Sequence, residues 1–305
     1  MKNSNIKTVL LIFNKRSGKG MIRQKLADIV DVFGRYGYEV TAHSTRGRGE
    51  ATEFVKKRAK DFDLVVCCGG DGTLNETVKG LIQSRTKTPL GYIPAGSTND
   101  FASSVGIPKG PVNAAKTAAN GVPFLCDVGS FNGRTFVYTA AFGILSDVPY
   151  RTKQKLKNAV GHFAYLLESV REFAVAPFGI YPWIDMKVSV NGEEMEDTFV
   201  YGMITNSVSI GGVQGVTGNN VKMDDGLLEV TLIKRPALAV SFPFIFASLL
   251  HLLKRSRHVY TCKTDHIRIR SKKPVAWTLD GESGGKWKDV EIRCVQHAVK
   301  IMVKK

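Results

Sequence analysis

Residues 69–76 combine glycine, hydroxyl and carboxylate side chains in a spacing that suits phosphate binding. They read Gly-Gly-Asp-Gly-Thr-Leu-Asn-Glu and directly follow the apolar run 64–68. Glycines let backbone N–H groups approach a phosphate closely, and the N-terminus of a following helix attracts anions. Thr73 and Glu76 have the spacing of a capping box, so a well-capped turn without a ligand is the alternative. A dinucleotide fingerprint would need glycine at Asn75, and a P-loop would need Ser or Thr after Gly18-Lys19, where Gly20 stands.

Two further loops repeat this arrangement. Residues 14–20 leave a predicted strand and enter a predicted helix, and residues 92–101 repeat the theme with small hydroxylated residues. In a parallel sheet the carboxyl ends of the strands lie at one edge, where ligands bind. Taken singly, the first loop could be a basic solvated turn and the second a cap for a short helix. Together the three loops predict a site for nucleotide phosphates.

The first 100 residues alternate apolar runs with helical patterns. Strands are predicted at 8–13, 39–44 and 63–68, and helices at 21–33, 50–59 and 73–82. Strands separated by helices of this length indicate right-handed crossovers and a parallel sheet covered on both faces. We therefore expect an α/β nucleotide-binding domain over residues 1–125.

The pattern changes after about residue 121. Asn-Gly pairs at 132–133 and 191–192 stand between alternating apolar runs, which is a strong hairpin signal. Two predicted helices, 152–173 and 237–253, interrupt this region. We expect residues 126–305 to form a mainly antiparallel, sandwich-like domain, with the final strand, 298–303, able to return to the first domain. The fold class is α/β, and the active site is expected in a cleft between the two domains.

Composition limits the partners. The net charge is +16, which favours phosphates or an anionic membrane surface. The charges are dispersed and lack the arginine and aromatic interleaving of nucleic-acid modules, so no nucleic acid partner is expected. The five cysteines stand mostly in apolar runs and predict a reducing cytoplasm. Residues 237–253 carry no Asp, Glu, Lys or Arg, but Pro243 interrupts them, which favours a buried or interfacial helix over a membrane span.

Five segments together resemble the diacylglycerol kinase catalytic domain. They are GGDGTLNE, PAGSTNDFA, NxxSGKG, DDGLLEV and TLDGE, and they are most similar to bacterial lipid kinases of the YegS type. Sphingosine kinases are more distant, and NAD kinases share GGDGT. The resemblance implies transfer of the ATP γ-phosphoryl group, with Mg²⁺, to the hydroxyl of diacylglycerol or a similar lipid, which gives phosphatidic acid. The alternatives are an NAD kinase-like enzyme acting on a soluble nucleotide and a catalytically inactive nucleotide-binding membrane sensor.

The resemblance also implies roles for individual residues. Asp280 corresponds to the base that faces the lipid hydroxyl, although Asp280-Gly281 without the family indicates a hairpin turn. Asp127 corresponds to the partner of Lys19, while Glu168 stands where some relatives have a further lysine. The implied magnesium ligands are the Asp225 carboxylate and the carbonyls of Lys222 and Leu227. The implied ATP site comprises Asn14, Ser17, Gly18, Thr45, Gly69, Gly70, Asp71, Gly72, Thr73, Leu74, Asn75 and Ser97.

The expected partner is a lipid substrate presented by a membrane. A net charge of +16 favours a cytoplasmic protein in peripheral contact with an anionic membrane. Exposed strand edges leave room for a homodimer.

Overall fold

The computed structural model describes residues 6–15, 17–96, 99–143, 183–210, 213–214, 221–235 and 258–305. Ser97, Glu168, the two helices predicted at 152–173 and 237–253, and the side chain of Lys19 lie outside this description. The chain divides into two compact units. Unit 1 comprises Met1–Cys126 with His297–Lys305, and unit 2 comprises Asp127–Gln296. Within the described ranges, no helix is both long enough and apolar enough to cross a membrane.

Unit 1 contains a parallel sheet with helices between its strands. The strands are β1 (Lys7–Phe13), β2 (Tyr38–Ser44), β3 (Leu64–Gly69) and β4 (Leu90–Pro94), in the order β4-β3-β1-β2. The helices are α1 (Met21–Arg35), α2 (Glu50–Arg58), α3 (Asp71–Ser84), α4 (Asp100–Ser104) and α5 (Pro111–Asn120). The end of a long last strand joins beside β4, where Ile301 lies opposite Leu90 in parallel register. Each strand and helix predicted in residues 8–82 is present.

The central strands of unit 1 are buried along their length. All six residues of β3 are buried, as are Val9, Leu10, Leu11 and Ile12 in β1. Strands covered on both faces read as continuous apolar runs rather than as alternating patterns, which is why these two were visible in the sequence. Helix α5 packs closely on β4, since a Cβ on Gly91 would lie 2.5 Å from the Cβ of Ala118.

Unit 2 is antiparallel. Its strands are β5 (Val122–Phe131, which begins in unit 1), β6 (Arg134–Phe136), β7 (Thr139–Gly143), β8 (Ile184–Val190), β9 (Glu193–Thr205), β10 (Ser209–Ile210), β11 (Val213–Gln214), β12 (Leu228–Lys234), β13 (Val259–Thr264), β14 (His266–Leu279) and β15 (Glu282–Val303, which ends in unit 1). Five of them follow the order β13-β12-β9-β7-β14. Strand β14 also pairs with β15, β8 pairs with both β9 and β14, and β5 pairs with β6 and β15.

An aromatic cluster lies at the centre of unit 2. The ring of Trp277 is 5.0 Å from that of Phe131 and 4.8 Å from that of Phe142, and all three side chains are buried. Rings at these separations contribute about 1 kcal/mol per pair beyond the area that they bury. The cluster joins β5, β7 and β14, three strands that are far apart in sequence.

Both predicted Asn-Gly hairpins are confirmed. Asn132 and Gly133 have φ angles of 47° and 78°, and Asn191 and Gly192 have 52° and 79°. Two consecutive positive φ angles define the type I′ turn that matches the twist of the adjoining strands. Asp280 and Gly281, at 52° and 78°, form a third turn of this kind between β14 and β15. The α/β fold class with a parallel first domain and an antiparallel second one is confirmed.

Candidate functional site

The loops after four strands of unit 1 are joined at the carboxyl edge of the sheet. The N–H of Asn14, after β1, donates to the carbonyl of Cys68 in β3 at 3.2 Å. The N–H of Thr45, after β2, donates to the carbonyl of Phe13 at 2.9 Å, and the N–H of Ala95, after β4, donates to the carbonyl of Gly69 at 2.8 Å. These bonds bring the predicted loops to one edge, where ligands of parallel α/β sheets bind.

Glycines set how closely two of these loops approach. A Cβ on Gly70 would lie 3.2 Å from the Cα of Gly96, and a Cβ on Gly96 would lie 2.9 Å from the Cα of Gly70. A larger side chain at either position would therefore separate the loops. Gly72 differs, because a Cβ there would meet no atom of the described residues within 4 Å. Its missing side chain leaves open space beside the first turn of α3.

The predicted capping box at Thr73 and Glu76 is wrong. Helix α3 begins at Asp71 with Gly70 as its N-cap, and no side chain of the described chain caps it. The Glu76 carboxylate instead accepts the N–H of Gly49 at 2.7 Å and that of Ala51 at 3.3 Å, so it holds the start of α2. Tertiary contact with α2 thus overrides the local pattern. The first turn of α3 keeps N–H donors that suit an anion.

Asn75 adds a polar group to this helix start. Its side chain is 2% exposed, and its Oδ1 accepts no hydrogen bond within the described part of the chain. Ser17 donates its N–H to the Asn14 carbonyl at 3.1 Å and begins the 3-10 turn Ser17–Gly20, which contains Gly18. The close approach of the glycines and the uncapped helix start fit a polyphosphate ligand, so the unit 1 residues are compatible with ATP.

Asp280 is fixed in unit 2 by three backbone donors. Its Oδ2 accepts the N–H of Val137 at 2.8 Å, and its Oδ1 accepts those of Tyr138 and Thr139, each at 3.0 Å. The side chain is 6% exposed. Three N–H bonds favour the charged carboxylate and hold it in one orientation. Asp280 is therefore both the turn residue that the sequence alone indicated and a pre-positioned carboxylate.

Asp127 organises the loop 221–227 of unit 2. Its N–H donates to the carbonyl of Met223 at 2.8 Å, and its Oδ2 accepts the N–H of Gly226 at 2.7 Å. The amide nitrogen of Asn206 donates to the Asp127 carbonyl at 2.7 Å. The sequence indicated none of these contacts. The expected pair with Lys19 stays a prediction, because the side chain of Lys19 lies outside the described residues.

A second carboxylate accompanies Asp225. The Lys263 ammonium lies 3.2 Å from Asp225 Oδ2 and 3.2 Å from Glu229 Oε1. Glu229 is 3% exposed, and neither of its oxygens accepts a well-oriented hydrogen bond within the described ranges. Burial raises the pKa of Glu229 to about 7 against the opposing effect of Lys263. Sequence reasoning missed both residues, although Glu229 is a lone charge inside the apolar run of β12.

The chemistry of this cluster fits a hard cation. Asp225 and Glu229 place carboxylate oxygens beside the single positive charge of Lys263, and hard cations prefer oxygen ligands. No three His, Cys, Asp or Glu side chains of the described chain group together as a metal site. Backbone carbonyls, such as those of Lys222 and Leu227, would have to complete the coordination, and Mg²⁺ and Ca²⁺ accept such ligands.

Comparison with known proteins agrees over both units. Residues 8–131 match the diacylglycerol kinase catalytic domain, and residues 140–303 match the YegS C-terminal NAD kinase beta sandwich-like domain. A diacylglycerol kinase of Bacillus subtilis is 30% identical over 98% of this chain and 97% of its own. One of Staphylococcus haemolyticus is also 30% identical, over 92% of this chain and 83% of its own.

Solved structures show the same relationship. Two crystal structures from Bacillus anthracis, each described as a diacylglycerol kinase, superimpose with TM-scores of 0.84 and 0.80 at 25% identity. They cover 100% and 99% of this chain, and 98% of their own chains is covered in both cases. The resemblance seen in the sequence motifs is confirmed, and the chain belongs to the diacylglycerol kinase family of lipid kinases.

Proposed function

We propose that the protein transfers the γ-phosphoryl group of ATP, with Mg²⁺, to the hydroxyl of diacylglycerol or a similar lipid and releases phosphatidic acid. The observation that carries the proposal is the edge of the unit 1 sheet, where Gly70 and Gly96 approach each other beside the uncapped start of α3. Membership of the diacylglycerol kinase family supports a lipid as the acceptor of the phosphoryl group. The relatives from Bacillus and Staphylococcus are named for diacylglycerol.

The proposed ATP site uses the loops that the backbone bonds hold together. The N–H groups in the first turn of α3 would face phosphate oxygens, and the open space at Gly72 would admit them. ATP supplies the phosphoryl group, and ADP is the leaving group. The chain would hold the phosphates with residues at or after the ends of β1, β2, β3 and β4, namely Asn14, Ser17, Gly18, Thr45, Gly69, Gly70, Asp71, Gly72, Thr73, Leu74, Asn75 and Ser97.

Asp280 would orient the lipid alcohol. As the alcohol oxygen bonds to phosphorus, the bond between phosphorus and the leaving oxygen of ADP breaks, and the hydroxyl proton passes to the Asp280 carboxylate. Phosphoryl transfer depends mainly on positioning and charge neutralisation, so an ordinary carboxylate can accept the proton late in the step. The three N–H bonds to Asp280 supply the fixed position.

Lys19 and Asp127 would form a charge pair that supports the phosphate loop. The cation held by Asp225, Lys222 and Leu227 would act structurally by stabilising the loop 221–227. Asp127 binds the same loop through Gly226. The protein would work in the cytoplasm, in peripheral contact with an anionic membrane that presents the lipid, and a homodimer is compatible with this arrangement.

Phosphoryl transfer from labelled ATP to a panel of lipids in mixed vesicles tests the proposal. The panel should include diacylglycerol, monoacylglycerol, ceramide and a sphingoid base. We expect labelled lipid with the wild type and a loss of at least about 100-fold with Asp280→Asn, given the usual contribution of a positioned base. Asp265→Asn is the matched control, since Asp265 is an exposed turn residue of the same unit.

Three results would contradict parts of the proposal. Phosphorylation of NAD without lipid or detergent would support the NAD kinase-like alternative. ATP binding without turnover on any acceptor would support the inactive sensor. Full activity of Asp280→Asn would remove Asp280 as the base while leaving the lipid kinase intact.

A further inference from the structure

A cavity of about 400 Å³ opens in unit 2 away from the residues discussed above. Residues Lys272 to Pro274 of β14, where the pairing with β15 shifts register, form one wall, and Trp183, just before β8, forms another. Gly143 at the end of β7 and Ala276 on β14 contribute to the lining. The cavity thus combines an apolar interior with long polar side chains at its rim.

The charge of this cavity is positive. Its described lining contains three lysines, Lys272, Lys273 and Lys286, and one acidic residue, Asp185. The Lys272 ammonium lies 3.5 Å from an Asp185 oxygen, but the two side chains are 74% and 52% exposed. A pair so exposed is weak and readily exchanged. The cavity therefore presents several ammonium groups to an incoming anion.

Trp183 adds an aromatic ring to the lining of the cavity. The Arg235 guanidinium lies 4.4 Å from the centre of the Trp183 ring, so the tryptophan is in contact with a cation. The backbone N–H of Arg235 donates to the Thr198 carbonyl at 2.8 Å, which fixes this residue to β9. Tryptophan beside lysine and arginine is typical of surfaces at the membrane interface, where the ring enters the headgroup region and the cations face phosphates.

The same strand carries the cavity and Asp280. Ala276 lines the cavity, and Asp280 follows four positions later, which corresponds to about 13 Å at the usual rise of a strand. A bilayer surface that contacts the cavity would therefore lie within a lipid's length of the carboxylate. Free phosphate would need the lysines but neither the apolar lining nor Trp183.

We infer that this cavity binds the phosphate headgroup of an anionic phospholipid and seats the protein on the membrane that presents its acceptor. The role of this contact in presenting the acceptor lipid rests on the proposed function. The binding of the headgroup does not, since it needs no ATP. Trp183 lies in the headgroup layer, and Lys272, Lys273 and Lys286 face the phosphate.

Sedimentation with vesicles in the absence of ATP tests the inference. Vesicles of phosphatidylcholine alone are compared with vesicles that contain 30% phosphatidylglycerol, about a typical anionic fraction. We expect binding only to the second kind. Lys272→Gln with Lys273→Gln should weaken that binding about 30-fold, because each lysine at a membrane surface contributes about a factor of five.

A matched double variant controls for net charge. Lys56→Gln with Lys57→Gln removes two adjacent exposed lysines from α2 and should leave vesicle binding within about twofold of the wild type. The quenching experiment uses a Trp287→Phe background, because Trp287 is partly exposed and follows Lys286 of the lining. Brominated phosphatidylglycerol should quench the remaining tryptophan fluorescence, and Trp183→Phe should remove the quenching, since Trp277 is buried.

Three outcomes would overturn the inference. Equal losses in the two double variants would show attraction by net charge alone. Quenching that persists in Trp183→Phe would place the contact elsewhere. Displacement of the vesicles by millimolar inorganic phosphate, at constant ionic strength, would identify a site for free phosphate. A protein that binds these vesicles but phosphorylates no lipid would retain the inference and lose the proposed function.

Discussion

At the scale of single residues, glycines and buried charged side chains define the site more than exposed charged side chains do. Gly70 and Gly96 allow two loops to approach, and Gly72 leaves space at the helix start. The sequence could identify these glycines because their spacing is local. It could not identify the contact of Glu76 with α2 or of Lys263 with Asp225, because these partners are 27 and 38 positions apart and no local pattern links them.

Gly72→Ala separates phosphate binding from folding. Among the residues that the structure describes, none has an atom within 4 Å of a Cβ at Gly72, so the variant should fold with unchanged or slightly higher stability. The same Cβ would enter the proposed phosphate space, so the affinity for ATP should fall at least about tenfold, as expected for an obstructed phosphate contact. Isothermal titration with ATP measures the affinity, and urea unfolding measures the stability.

Gly34→Ala is the control for this change. Gly34 is also helical, in α1, and its Cβ would also meet nothing within 4 Å, but it lies away from the loops after the strands. It should stabilise the helix by about 0.5–1 kcal/mol and leave ATP binding unchanged. Equal ATP affinities for the two variants would exclude the first turn of α3 as the phosphate site.

Glu229 should make the stability depend on pH. Its pKa is about 7 in the folded protein and near 4.5 in the unfolded chain, because burial disfavours the charged form. The folded state then binds more protons between these values, so stability should fall as pH rises from about 4.5 to 7, by on the order of 3 kcal/mol. Glu229→Gln should remove this slope. Urea unfolding with EDTA at several pH values measures it.

The exposed Glu193 provides a comparison for Glu229. Glu193→Gln should keep the slope of the wild type, because this side chain lies at the surface of β9. A Glu229→Gln protein whose stability still declines over the same pH range would show that another group is responsible.

At the scale of helices, strands and turns, the sequence predicted correctly those features that depend on a single local segment. Turn positions such as Asn132-Gly133 and Asn191-Gly192 depend on two residues with positive φ, and both hairpins formed as expected. The start of α3 depends on α2 as well. The capping box failed because Glu76 has better donors in Gly49 and Ala51 than in its own helix.

The contact of Glu76 predicts a measurable effect on α2. Glu76→Ala leaves the N–H groups of Gly49 and Ala51 without their carboxylate, and it should lower the free energy of unfolding by about 1–2 kcal/mol. Glu53→Ala, at an exposed position in the first turn of α2, should change it by less than about 0.5 kcal/mol. Urea unfolding compares them. Similar losses would mean that the Glu76 contact contributes little.

At the scale of the whole molecule, the sequence predicted an α/β unit followed by an antiparallel one, and the family comparison agrees with both. The periodicities of 3.6 and 2 distinguish these architectures. Strand order is less visible in a sequence. The order β12-β9-β7-β14 of unit 2 joins strands that are far apart in the chain, and only the fold brings them together.

Removal of residues 297–305 should disrupt unit 1. These residues supply the strand beside β4, and Ile301 is 1% exposed. We expect loss of ATP binding and rapid proteolysis within Met1–Cys126, as measured by mass spectrometry of the fragments. Removal of Lys304 and Lys305 alone, both exposed and beyond β15, should have neither effect. Unchanged proteolysis after the longer truncation would show that the strand is dispensable.

The same strand affects how the protein is made. Residues Met1–Cys126 of unit 1 leave the ribosome before unit 2, yet the outer strand of unit 1 is translated only after the roughly 170 residues of unit 2. At 5–20 residues per second, the edge of β4 waits about 10–30 s for its neighbour. An apolar, unpaired edge exposed for that time can pair with other nascent chains, so chaperone supply and translation rate should influence the soluble yield.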